Sequence, residues 1–123
     1  MSKIRLLLTA EQAEAYYTYL DEMMGHVNDA KSVPLRIIVL NAMSVMEKIY
    51  AKQFLRKGLD MKLTEEQALA LQYLMAVYLV PDHWHYTANA VRLVQQQLPQ
   101  IEIPNPHNGQ ALLPGPQILP ING

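Results

Sequence analysis

Six of the eight prolines in this 123-residue chain fall after residue 98. Proline has no amide hydrogen and its ring clashes with the preceding helical turn, so residues 99–123 cannot extend a helix that comes before them. The chain therefore divides into a body, residues 1–98, and an extended arm, residues 99–123. Within the body only Pro34 and Pro81 interrupt the backbone, which leaves windows long enough for several helices.

The body reads as four helices. Ala13, Tyr16, Tyr17, Leu20, Met23, Met24 and Val27 recur three or four apart and predict an amphipathic helix from about Thr9 to Val27, with Glu11, Glu14, Asp21 and Glu22 on its other face. Ser32 can cap a second helix with Pro34 in its first turn, where the missing amide hydrogen costs nothing. That helix is expected to run to Lys57 and stop at Gly58. It is apolar nearly all round, from Leu35 through Ile37, Ile38, Val39 and Leu40 to Phe54 and Leu55, with a polar stripe of Arg36, Asn41, Ser44 and Glu47. A third helix, Glu65 to Val80, is similarly apolar. Pro81 ends it, Asp82 can cap a fourth, and Trp84, Ala88, Val91, Val94 and Leu98 form that helix's buried stripe.

Two segments resemble each other at a distance of 55 residues: Leu8-Thr9-Ala10-Glu11-Gln12-Ala13 and Leu63-Thr64-Glu65-Glu66-Gln67-Ala68. In both, a Thr precedes a Gln by three positions, the spacing at which the hydroxyl accepts from the Gln amide while the Gln side chain accepts from the Thr amide. Duplication of a helical hairpin would produce this match, although capping boxes are common enough for convergence to be the plainer account. Leu59 to Leu63 alternates apolar and polar, and Ile4, Leu6 and Leu8 share one parity, so a short two-stranded ribbon is expected ahead of the two boxes.

The expected fold is thus mainly α: a four-helix antiparallel bundle built from two helical hairpins, with short β-strand stubs and the proline-rich arm. Such a bundle cannot hide the second and third helices on every side. Only 17% of residues are charged, below the roughly 25% of an average soluble protein. Both facts point to surface covered by a partner, and a homo-oligomer or a docked arm is the expectation.

The arm carries Ile101, Ile103, Leu112, Leu113, Ile118 and Leu119 on a backbone that favours polyproline geometry, with Glu102 its one charge. A solvated linker would be charged or rich in Gly and Ser. These six side chains are the candidate partner-binding residues. Ile101-Glu102-Ile103 alternates like a strand, while Asn105–Gly109 and Leu112–Pro116 hold turn signals.

A net charge of −1 gives no whole-molecule attraction to nucleic acid or to an anionic membrane. Lys48, Lys52, Arg56, Lys57 and Lys62 still gather near the end of the second helix and define a possible anion or nucleic-acid patch, although cations at a helix C-terminus are favoured by the helix dipole alone. The absence of cysteine excludes disulfides and thiolate chemistry. Asp82-His83-Trp84-His85 is the densest group of reactive side chains. A spacing of two turns His83 and His85 away from each other on a helix, and no third ligand lies nearby, so a capping Asp82 and a core Trp84 describe the cluster more simply than a metal site does. Seven tyrosines against one phenylalanine put polar-tipped rings at the helix boundaries.

No apolar run reaches the roughly 18–20 residues that span a bilayer, and residues 1–8 lack a secretory h-region. The expectation is a soluble, cytoplasmic, non-enzymatic protein-interaction or assembly subunit without cofactor, catalytic or metal residues, whose partner is protein. A small metal-binding protein or enzyme using Asp82–His85, and a regulator binding nucleic acid through the basic end of the second helix, are the alternatives.

Overall fold

A computed structural model describes residues 4–27, 32–52, 58–81, 83–100 and 117–118. It is mainly helical with a small antiparallel β pair. In chain order the elements are β1 (Ile4–Leu8), α1 (Ala10–Val27), α2 (Val33–Lys52), β2 (Leu59–Leu63), α3 (Glu65–Val77), β3 (Tyr78–Leu79), α4 (His85–Gln97) and β4 (Gln117–Ile118).

The expected ribbon is β1 with β2. Leu6 and Leu8 on one strand, and Leu59, Met61 and Leu63 on the other, turn inward, while Arg5, Leu7, Asp60 and Lys62 face solvent. The register pairs Ile4 with Leu63, Leu6 with Met61 and Leu8 with Leu59. A shift of 55 residues carries Leu6 onto Met61, its own partner, so the register has a local two-fold between these residues, the symmetry a duplicated unit would give. Both capping boxes form. Thr9 Oγ1 accepts from the Gln12 amide at 3.1 Å and Gln12 Oε1 from the Thr9 amide at 2.9 Å; the same pair of bonds joins Thr64 and Gln67 at 3.1 and 3.0 Å. Gly58 is required where it stands, because its φ is +86° and a Cβ there would meet the Leu8 carbonyl oxygen at 2.8 Å.

Helix α1 packs against α2 and α4, and α2 packs against α3. The core holds Tyr16, Tyr19, Leu20 and Met23 of α1, Val39, Ala42, Val45 and Ile49 of α2, Leu71, Leu74 and Met75 of α3, and Ala90, Val91 and Val94 of α4. Ser32 serves α2 as expected, its hydroxyl accepting from the Leu35 amide at 3.4 Å. The expected run of α2 from Lys52 to Lys57 crosses residues 53–57, outside the described residues.

Two helix ends differ from expectation. Helix α3 stops at Val77 rather than Val80. The Tyr19 hydroxyl reaches across from α1 and hydrogen-bonds the Leu74 and Tyr78 carbonyl oxygens at 3.2 and 2.8 Å, and Tyr78–Leu79 pairs with Gln117–Ile118 as a parallel strand. Backbone groups that would have continued the helix thus find partners elsewhere. Helix α4 starts at His85, three residues beyond Asp82. The Trp84 amide closes a turn on the Pro81 carbonyl at 3.0 Å, and Trp84 takes the cap position without a side-chain bond of its own; Asp82 lies outside the described residues. Trp84 is half-buried against the core rather than inside it.

The C-terminal end of α4 is closed from outside. The Gln72 side-chain amide, buried on α3, donates to the carbonyl oxygens of Gln95, Leu98 and Pro99 at 3.2, 3.3 and 3.0 Å, satisfying acceptors that a helix end leaves orphaned. Gln97 secures the outer edge of β1, donating to the Leu7 carbonyl at 2.8 Å and accepting from its amide at 2.7 Å.

Candidate functional site

The largest departure from an ordinary surface lies on α2. Its core side is Val39, Ala42, Val45 and Ile49, yet Val33, Ile37 and Leu40 on the outer side remain 70%, 55% and 50% exposed. Spacings of four and three place these three side chains in one stripe along the helix. Ile38 leans from this stripe toward α3, where Leu69 is 38% exposed. Ile37, Ile38, Leu69, Ala70 and Tyr73, with Asn41 and Glu66, line an open groove of about 330 Å³ between the two helices. Scattered exposed aliphatics are ordinary; a stripe of them beside a mostly apolar groove is what sets this face apart.

On the opposite flank of α2, Tyr17 and Met24 of α1 face Met43, Met46, Glu47 and Tyr50 across a second groove of about 460 Å³. The Tyr17 and Tyr50 rings are 6.1 Å apart and tilted by 41°. The two most deeply buried tyrosines do other work. Tyr16 and Tyr19 stack at 5.8 Å, and the Tyr16 hydroxyl lies 3.4 Å from Met75 Sδ. Burial pushes both hydroxyls well above the usual tyrosine range, with their tyrosine neighbours adding to the effect. These rings are structural, holding α1 to α3.

Lys48, Lys52 and Lys62 of the expected basic patch are among the described residues. Lys48 Nζ turns toward α3 and donates to Gln67 Oε1 at 3.2 Å, and Lys52 Nζ donates to the Asp60 carbonyl at 3.0 Å. Lys52 and Lys62 flank a shallow depression with Arg5, Asp60 and Met61, so Arg5 is a neighbour the linear sequence gave no reason to include. Its guanidinium forks onto Asp60 at 2.8 and 2.6 Å. That hydrogen bond holds the Asp60 carboxyl below its usual range, helped by the charges of Arg5, Lys52 and Lys62. A carboxylate thus sits among the cations. Arg56 and Lys57 lie outside the described residues.

His83 and His85 are both exposed at the start of α4. Among the described residues no group of three or more His, Asp or Glu side chains comes together as a metal site would require. Likewise among these residues, no helix is long and apolar enough to cross a membrane. Of the arm's candidate contact residues, Ile118 lies in β4; Ile101, Ile103, Leu112, Leu113 and Leu119 lie outside the described residues, as do the arm's two turn signals. Comparison of the chain with protein-family models, with characterised proteins and with solved structures finds no match.

Proposed function

We propose that the protein is a non-enzymatic assembly subunit that pairs with a second copy of itself through the outer face of α2, its four helices forming two antiparallel hairpins and its arm serving as a docking element. One observation carries this reading: Val33, Ile37 and Leu40 form a stripe that is half to mostly exposed. The three side chains carry no charge, Arg36 stands beside them on the same face, and a two-fold axis across α2 would set each copy's Ile37 and Leu40 against the other's. The hairpin arrangement is supported on the α1–α2 side, where Tyr17 meets Tyr50 and Met24 lines the same groove as Met43, pairings expected of helices running in opposite senses. The same reading takes the cytoplasm as the place of action.

Magnitudes set the strength of the contact. Six such side chains, three from each copy, contribute about 5–10 kcal/mol when their remaining exposed area is covered. Association costs roughly 4–15 kcal/mol in lost freedom. The two are of similar size, so the surplus is a few kcal/mol at most and the pairing is concentration-dependent rather than obligate; a surplus of about 4 kcal/mol corresponds to a Kd near 1 mM. Light scattering of the full chain over a dilution series tests this: the mass rises from 14.0 kDa toward that of two chains as concentration approaches about 1 mM. A mass fixed at one chain throughout overturns it.

A further inference from the structure

We propose that the arm segment Leu112–Pro116 lies, within its own chain, along the groove between α2 and α3, with Leu112 and Leu113 covering Ile38, Leu69 and Tyr73. This deepens the reading of the arm as a docking element and is independent of whether α2 pairs with a second copy.

The anchor is β4. Gln117 pairs with Tyr78 and Ile118 with Leu79, in parallel, which brings the arm to the C-terminal end of α3. The residue before Gln117 is Pro116, so this apolar segment starts where α3 ends. Counting back along α3, Tyr73 lies about 7.5 Å and Leu69 about 13 Å of helix rise from Tyr78. Lying along the groove, these five residues are extended rather than turned at Pro114-Gly115, and in polyproline geometry they span about 15 Å. Segment and groove are therefore matched in length, and the groove opens on the same helix to which β4 is tied.

Chemistry matches as well. The groove is lined mostly by aliphatic carbon and the Tyr73 ring, with Asn41 and Glu66 as its polar side chains. A polyproline backbone makes no internal hydrogen bonds, and Pro114 and Pro116 have no amide hydrogen to bury, so this segment can lie on carbon at little polar cost. Aromatic-lined grooves recognise proline-containing segments in this way. The anchor decides between the chain's own arm and that of another copy. With Gln117 held on its own β3, the local concentration of the segment is on the order of mM, above that of any second chain in dilute solution. Val33 and Leu40 do not line the groove, and Ile37 at its edge is left to the outer face, so the arm and a second copy can bind together.

The chain contains no cysteine, which permits a direct test. Leu69→Cys and Leu113→Cys are introduced together into the full chain, which is oxidised with oxidised glutathione and read by mass spectrometry and non-reducing electrophoresis. The expected result is a disulfide within one chain, formed at least tenfold faster than in a control carrying Asn89→Cys with Leu113→Cys. A second pair, Ile38→Cys with Leu112→Cys, guards against misfolding of the first and is expected to behave likewise. Equal rates in test and control pairs, or no intrachain bond in either test pair, would overturn the proposal. So would efficient cross-linking between chains when the Leu69→Cys and Leu113→Cys single variants are mixed, which would place the arm on a neighbour.

Discussion

Helices α2 and α4 each follow a strand, a capped turn and a helix in the two halves of the body. They present outward stripes with the same spacing and opposite chemistry. On α4 the exposed positions are His85, Asn89, Arg92 and Gln96; on α2 the same succession of four and three holds Val33, Ile37 and Leu40. Both helices bury an inner face, Val91 and Val94 on one and Val45 and Ile49 on the other. The inner faces account for folding. The outer faces are where the halves part, and the apolar one has no role within the fold that α4 shows to be necessary.

The largest expected effect separates the two faces of α2. Ile49→Ala removes a fully buried side chain and costs about 2–5 kcal/mol, lowering the melting temperature by more than about 10 °C. Leu40→Ser on the outer face is expected to leave it nearly unchanged. Equal losses in thermal melts would show that the outer stripe is part of the core after all.

Next in size is the link that holds α1 to α3. Tyr19→Phe leaves the Leu74 and Tyr78 carbonyls without this donor, a loss of about 1–2 kcal/mol in denaturant titration. The same tyrosines predict a pH dependence. Burial raises the Tyr16 and Tyr19 hydroxyls above their unfolded value, so their contribution is intact below about pH 10 and is lost as pH rises from there toward the folded value. Alkaline unfolding should be less steep in Tyr19→Phe, and an unchanged profile would remove Tyr19 from that account.

The smallest effect compares the halves directly. Thr9→Ala and Thr64→Ala each delete one capping bond and are expected to cost about 1 kcal/mol apiece. Near-equal losses would support equivalent roles for the two boxes; a neutral Thr9→Ala would make the first box dispensable.

Local signals were the legible ones. The Thr-Gln spacing gave both boxes, alternation gave the ribbon, and the periodicity of α1 picked out Tyr16, Leu20, Met23 and Val27 as core. Features made by distant residues were not readable. Tyr19 falls outside the simple stripe and is buried because α3 offers it two carbonyls. Gln72 interrupts an apolar run, which disguised its task of closing the end of α4. The apolar run Tyr78-Leu79-Val80 suggests more helix until a strand from the far end of the chain is set beside it. The apolar surplus of α2 was plain in the sequence, but which residues carried it outward depended on where α1 and α3 packed. The neighbours of the basic residues were likewise not readable, since folding sets Lys48 beside Gln67 and brings Arg5 and Asp60 beside Lys52.

The central claim is that α2, and not α4, carries the self-association surface. Sedimentation equilibrium on two matched variants tests it most directly, one with Ile37→Asp and Leu40→Asp and the other with Asn89→Asp and Arg92→Asp. The account predicts that the first stays at 14.0 kDa at concentrations where the second, like the unaltered chain, approaches the mass of two. Identical behaviour of the two variants would contradict it.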